Sequence, residues 1–335
     1  MLVHEVADRF AKMRQPRVIL KLDMAKAFDR VDWDYLESMM TEMGFGRRWL
    51  KWIRSCVSNA NYSLLVNGGT FGYFGGTRGL RQGDPLSPLL FNIVGEGFTS
   101  IIKAALEVGW LRNTLPEEML PVAQFADDTI VFGEGLVEQI EKWKAAIKLF
   151  ELASGQRVNW DKTELFGFNL SPETTQLMAD MLGCNVGSLP STYLGLPLFH
   201  SRIIQSIWSP VMEKVHKHLS LWKGKLLSTA GRLILIKACL YGIPAHYLSF
   251  MHCPVSVAKE LERLFRRFLW RGSSEDFKYH LVNWKKVCLP KDMGGLGIRK
   301  VSAVNKAFML KWCWRLNIDK KIPWSKLVEL TSGGR

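Results

Sequence analysis

Three carboxylates carry the chemistry that this sequence can do. Asp127 and Asp128 are adjacent in QFADDTIVF, Gln124 to Phe132, and Asp23 follows the apolar run VILKL. Two carboxylates this close repel and raise each other's pKa unless a cation relieves them. Asp23 is the candidate third donor for such a cation. Magnesium is a hard ion that takes oxygen ligands, commonly one or two carboxylates completed by substrate phosphates. Two such ions side by side clamp the attacking and leaving oxygens of an in-line phosphoryl displacement. The competing reading of the pair is a solvated acidic turn.

The surrounding residues predict elements that position these groups. Apolar and β-branched residues on both sides of the acidic break predict a hairpin, so one Asp faces a site and its neighbour projects from the turn. VILKL predicts a buried strand ending at Asp23. If the two strands pair, the carboxylates converge at one sheet edge. Residues 2–14 place Leu2, Val6, Phe10 and Met13 on one helical face. Asp32 or Asp34 can cap a helix that Gly44 closes. A helix from Arg47, a Gly-Gly hairpin over 61–77, a long helix after Pro85 and an amphipathic helix ending at Gly155 follow in order. RVNWDKTELFGF predicts a strand, STYLGLPLF a short hairpin, and the remainder is mostly helical. This order predicts an α+β fold built on an antiparallel sheet.

Composition narrows the classes. The chain has 335 residues, 47% hydrophobic and 23% charged, which is globular usage. No apolar run looks long enough to span a membrane, so no membrane partner is expected. Six cysteines are scattered without a CxxC pair, which speaks against a disulfide framework or a zinc finger. The net charge of +14 is uneven. Residues 1–170 carry 20 Lys/Arg against 21 Asp/Glu, and residues 171–335 carry 25 against 10. A basic half interleaved with tryptophans predicts a polyanion partner, against the plainer reading of a solvated basic surface.

The motifs around the carboxylates are similar to a known family. KLDMAKAFD at 21–29, RGLRQGDPLSPLLFN at 78–92 and FADD at 125–128 resemble, in that order, motifs A, B and C of the reverse transcriptases of LINE-type (non-LTR) retrotransposons. SGQRVNWDKTE at 154–164 resembles motif D and YLGLPL at 193–198 motif E. Downstream stretches resemble those that follow motif E in plant elements. One such motif is modest evidence; five in order are specific.

The resemblance implies a right-hand polymerase palm over residues 1–200 and a helical basic thumb with a connection region over 201–335. It implies Asp23, Asp127 and Asp128 as ligands of two magnesium ions, with manganese as a substitute. Phe28 matches the position whose ring excludes a 2′-hydroxyl, although AF is also an ordinary core pair. Gln82 and Gly83 match residues at the nascent base pair and Arg81 a template contact; the bland alternative is a turn that starts a helix. Lys162 matches a proposed proton donor to pyrophosphate, or is a solvated strand-end lysine. Tyr193 and Gly195 fall in the primer grip, or in a hairpin that merely supports the palm. Arg263, Arg266, Arg267 and Arg271 recur at helical spacing and would face the phosphates of a duplex. Lys223, Lys225, Arg232 and Lys237 are weaker candidates for the same role.

The implied partners are an RNA template, a DNA primer and deoxynucleoside triphosphates. The family's finger motifs, and the endonuclease or RNase H regions of such polyproteins, have no counterpart in this sequence. The expectation is therefore weak or no polymerisation by this chain alone. Two other readings stand beside a polymerase: an inactive nucleic-acid-binding remnant, and a maturase-like RNA-binding protein. The RQGDPLSP form of motif B favours the LINE type over the maturase type.

Overall fold

VILKL is apolar apart from Lys21 because both faces of its strand are covered. In the computed structural model, which describes residues 1–116, 119–199, 205–221, 227–271, 282–318 and 323–332, it lies at the centre of a five-stranded sheet. The chain divides into two compact units, residues 2–194 with 198–200, and residues 201–335 with Met1 and 195–197.

The first unit runs α1 (Leu2–Lys12), β1 (Arg17–Leu22), α2 (Trp33–Glu42), α3 (Arg47–Ser58), β2 (Asn61–Val66), β3 (Gly69–Gly75) and α4 (Ser87–Glu107). It continues through β4 (Val122–Phe125), β5 (Asp128–Glu134), α5 (Val137–Ser154), β6 (Glu164–Phe168), α6 (Pro172–Leu182), β7 (Asn185–Val186) and β8 (Ser191–Tyr193); β9 (Leu196–Leu198) follows at the division between the units. The sheet order is β4-β5-β1-β6-β7. It is antiparallel as expected except at its margin, where β7 joins β6 in parallel after the α6 crossover. α6 is not among the expected elements, although Ser171 before Pro172 is a helix-start signal: its hydroxyl accepts the Thr174 N–H at 3.1 Å.

Alternation along the strands divides two cores. Val18, Leu20, Leu22, Val131 and Leu165 share one cluster with residues of α2, α4, α5 and α6. On the other face Phe10 of α1 packs edge-on against Phe132 at 6.3 Å and Phe168 at 6.0 Å between ring centres. Fully burying a side chain of this size stabilises by about 1.5–3 kcal/mol. Asp32, rather than Asp34, caps α2, accepting from the Asp34 and Tyr35 amides at 2.9 Å each. The β2 and β3 hairpin is exposed along almost its whole length.

Two sequence expectations change. Of RVNWDKTELFGF only Glu164–Phe168 is strand, and the preceding residues form a turn after an isolated bridge from Val158 to Met24. The helical stretches Ser87–Glu107 and Thr229–Phe250 are, by length and composition, apolar enough to cross a membrane, contrary to the sequence expectation. For Ser87–Glu107 the packing accounts for the composition: Leu90, Phe91, Val94, Phe98 and Ile102 are buried in the core of the first unit.

The second unit is helical: α7 (Ser209–Leu221), α8 (Thr229–Leu235), a π turn (Ile236–Leu240), α9 (Gly242–Phe250), α10 (Val255–Arg271), α11 (Trp284–Val287), α12 (Val301–Ile318) and α13 (Pro323–Ser332). Asn305 holds it together from inside α12. Its amide donates to the Leu248 and Met251 carbonyls at 2.8 Å each, and its oxygen accepts the Cys253 N–H at 3.0 Å.

Candidate active site

β1 and β5 pair antiparallel with Leu22 against Thr129 and Lys21 against Ile130. One residue further on, the same register brings Asp23 level with Asp128. β4 and β5 form the predicted hairpin, with Phe125 against Asp128 and a two-residue turn at Ala126 and Asp127. Ala126 has a φ of +52°. A left-handed first central residue suits the twist of a two-residue hairpin but normally calls for glycine. The turn therefore holds some strain beside the carboxylates, as functional sites often do. Asp127 is exposed, Asp23 and Asp128 are half-buried, and Phe125 beside them is 64% exposed.

The charges feel one another. Asp128 is held above the usual carboxylate range, first by burial, then by Asp127, with Asp23 adding to the rise and Lys21 opposing it. Lys21 is partly committed elsewhere, to Glu164 at 3.2 Å. Among the described residues no three His, Cys, Asp or Glu side chains form a ready-made metal cage. Oxygen donors with a surplus of negative charge and room for solvent fit magnesium, which keeps waters and substrate phosphates in its shell.

Asp23 is positioned by a segment the sequence reading did not single out for that role. Its amide donates to Thr163 Oγ1 at 3.3 Å and its carbonyl accepts the Asn159 N–H at 2.7 Å. Ala25 N–H donates to the Arg157 carbonyl at 2.8 Å, and buried Gln156 donates from Nε2 to the Ala27 carbonyl at 2.9 Å. The motif D stretch thus clamps the motif A backbone. The signal was present as polar residues, Gln156, Asn159 and Thr163, inside an otherwise strand-like run. Lys162, in the same turn, is exposed.

The other side of the motif A loop is tied to motif B. Gly79 N–H donates to the Val31 carbonyl at 2.8 Å, Leu80 N–H to Phe28 at 2.7 Å, and Trp33 Nε1 to Gly79 at 2.7 Å. Asp29 bonds local backbone, its N–H donating to the Lys26 carbonyl at 3.0 Å. Phe28 is half-buried and stacks on Phe91 of α4, with ring centres 4.8 Å apart and planes at 16°. Gly83, with a φ of +88°, has open space around it, and Gln82 is exposed. Arg81 already has protein partners, the Cys56 carbonyl at 3.0 Å and Asp84 at 3.1 Å. Gln124 of the motif C strand accepts the Thr99 hydroxyl of α4 at 3.0 Å.

Tyr193 is buried, and its hydroxyl is pushed up to about 12 by burial and by the charge of Asp128, so it stands within electrostatic reach of the acidic site. Ser191 of the same strand bonds Glu164 at 3.0 Å. Leu194 and Gly195 both take left-handed φ, the requirement of a tight two-residue turn.

In the second unit Arg263 and Arg267 are exposed and Arg266 is half-buried. Arg263 is neutralised by a two-pronged pair with Glu260 at 2.5 and 2.7 Å, so the face of α10 is less positive than its arginine spacing suggests. The side chain of Arg271 lies outside the described residues, as do Lys223 and Lys225. Arg232 donates to the Leu269 carbonyl at 3.3 Å and Lys237 to that of Leu296, so both are engaged within the unit.

Residues 2–198 match the family model for reverse transcriptase (RNA-dependent DNA polymerase). The chain is 40% identical over 134 residues to a putative ribonuclease H protein of Arabidopsis thaliana, covering 40% of this chain and 22% of that protein. It is 27% identical to the uncharacterised 149 kDa protein of transposon TX1 of Xenopus laevis, covering 92% of this chain and 23% of the relative. It is 26% identical to the retrovirus-related Pol polyprotein of the type-2 retrotransposable element R2DM of Drosophila melanogaster, covering 93% and 29%. The chain thus spans between 22% and 29% of the length of these relatives. A solved telomerase structure from Candida albicans, in complex with a TWJ fragment of telomeric RNA, aligns with a TM-score of 0.45 at 15% identity, covering 90% of this chain and 48% of that one. The ordered motifs, the family match and the retrotransposon relatives lead to one conclusion: the chain belongs to the reverse transcriptase family, among the LINE-type (non-LTR) members.

Proposed function

We propose that this chain is the palm, residues 1–200, and the thumb and connection region, residues 201–335, of an RNA-directed DNA polymerase that extends a DNA primer on an RNA template. The observation that carries the reading is the β1 and β5 register, which levels Asp23 with Asp128 beside the Asp127 turn. Asp23, Asp127 and Asp128 would hold magnesium, or manganese in its place. Bound divalent ions would activate the primer 3′-hydroxyl and neutralise charge on the departing pyrophosphate. Phe28 limits the space beside the sugar of the incoming deoxynucleotide, supported from behind by Phe91. Gln82 and Gly83 form the open turn against the nascent base pair, and Arg81 contacts the template after exchanging its intramolecular partners. Lys162, free to reach solvent, donates a proton to the leaving group. Tyr193 and Gly195 place the primer end, and Arg266, Arg267 and Arg271, with Arg263 if it leaves Glu260, meet duplex phosphates.

Manganese titration followed by electron paramagnetic resonance tests the metal site. Binding is expected in the parent chain and lost in Asp127→Asn and Asp23→Asn. Binding that survives both substitutions would overturn the assignment. Incorporation of one deoxynucleotide on an RNA-templated primer, dependent on Asp127, separates a polymerase from a binding remnant.

A further inference from the structure

We propose that the second unit contains an RNA-binding cleft of its own, formed by Lys259 and Arg266 of α10, Lys285 of α11, Lys300 just before α12 and Lys306 in its first turns. These residues line a cavity of about 560 Å³. A neighbouring depression of about 520 Å³ shares Lys285 and Lys300 and adds Arg299, so the basic surface is continuous. The inference rests on the polymerase reading for the identity of the polyanion, and on the cleft itself for its existence.

Three observations support it. First, none of the five cations makes a salt bridge among the described residues, whereas Arg263 on the same helix is paired. Second, the lining sets five cations against one carboxylate, Glu262, whose Oε1 accepts the Val301 N–H at 2.9 Å at the start of α12. Third, Trp284 is buried and lines the cleft, giving it an apolar, low-dielectric wall.

Five like charges around a concavity repel one another, and the low-dielectric walls focus their field outward. A phosphate chain relieves that repulsion at several points at once and releases its own counterions. The apolar stems of the lysines line the walls while their ammonium groups remain free to move. Such a surface binds by charge and shape, without reading bases. It differs from the arginine face of α10 because its cations converge from three elements.

The test is fluorescence anisotropy with a fluorescein-labelled single-stranded RNA and the full chain over a range of salt. Lys285→Glu, Lys300→Glu and Lys306→Glu combined should weaken binding at least tenfold. Three lost phosphate contacts at ~0.7 each should lower the slope of log affinity against log salt by about 2. The triple Lys→Arg chain should bind like the parent. Protection of these lysines from acetylation by RNA, measured by mass spectrometry on the unsubstituted chain, avoids any folding defect. Unchanged affinity and slope, or no protection, overturns the proposal. Equal binding of polyglutamate or of anionic phosphatidylserine vesicles at the same lysines overturns its assignment to RNA. Asp127→Asn leaves this RNA affinity unchanged, while the lysine changes leave manganese binding unchanged, so the two readings fail separately.

Discussion

The amide of Asp23 donates to the hydroxyl of Thr163, 140 residues later in the chain, at 3.3 Å. Thr163 is fully buried, and its hydroxyl in turn donates to the Asn159 carbonyl at 2.9 Å. The backbone of a candidate metal ligand is therefore anchored by a motif D side chain. Thr163→Val keeps the shape but removes both bonds. It should destabilise the chain by about 1–3 kcal/mol, as for buried polar groups left unserved, and weaken manganese binding. Thr163→Ser should restore much of both. Urea unfolding and metal titration on the two variants check this; an unchanged metal affinity in Thr163→Val would remove the positioning role.

Asp128 gives a pH signature. Its carboxyl sits above the ordinary value of 3.8 because burial, Asp127 and Asp23 all disfavour the charge. The folded state therefore holds this proton more tightly than the unfolded one. Stability is lost as pH rises from the unfolded value through the folded one. In metal-free protein Asp128→Asn should raise the Tm at neutral pH, and this gain should vanish in acid, where both states are protonated. Magnesium should raise the Tm of the parent and not of the variant. Thermal melts with and without metal at several pH values read all three effects, and a variant that melts lower at neutral pH in metal-free buffer contradicts the sign.

Much of the palm is legible because its elements bury regular faces. The apolar β1, the hairpin around the two aspartates and the long helix after Pro85 each announce themselves by period and punctuation. The motif D stretch does not. Backbone groups of Arg157 and Asn159, with the side chains of Gln156 and Thr163, are taken up by a loop more than a hundred residues away, which leaves no local periodicity. The spacing of the α10 arginines was plain, but its meaning depended on Glu260, three residues before Arg263 and equally visible. The lysines around Trp284 sit on or beside three successive helices, so only the packing of those helices brings them together.

Two glycines of motif B should respond differently to the same change. A Cβ added to Gly79 would lie 2.7 Å from the Asp29 carbonyl oxygen, at a φ of +93°. At Gly83, with a φ of +88°, a Cβ would meet nothing within 4 Å. Gly83→Ala should therefore cost about 1–2 kcal/mol, the strain of a left-handed L-residue alone. Gly79→Ala adds a backbone clash and should exceed that, loosening the bonds from Gly79 and Leu80 to the motif A loop. Denaturant unfolding of both variants orders the two; equal losses would mean that the close approach to Asp29 is absent in solution.

Phe28 has two separable roles, one in packing and one toward the sugar. Its ring stacks on Phe91 at 4.8 Å and borders the main core, so Phe28→Val loses area and one aromatic pair. Aromatic pairing alone contributes about 0.5–1.5 kcal/mol, so a stability loss is expected in any case. Stability cannot then identify the sugar contact, but selectivity can. If the ring excludes a 2′-hydroxyl, Phe28→Val should raise ribonucleotide relative to deoxynucleotide incorporation by roughly tenfold or more, equivalent to ~1.4 kcal/mol of discrimination. Phe98→Leu, in the same core and packed on Phe150 at 5.2 Å, should destabilise without changing that ratio. Single-nucleotide incorporation with matched ribo- and deoxynucleotides decides the point. An equal shift in both variants would mean that loosened packing, rather than the ring of Phe28, sets the preference.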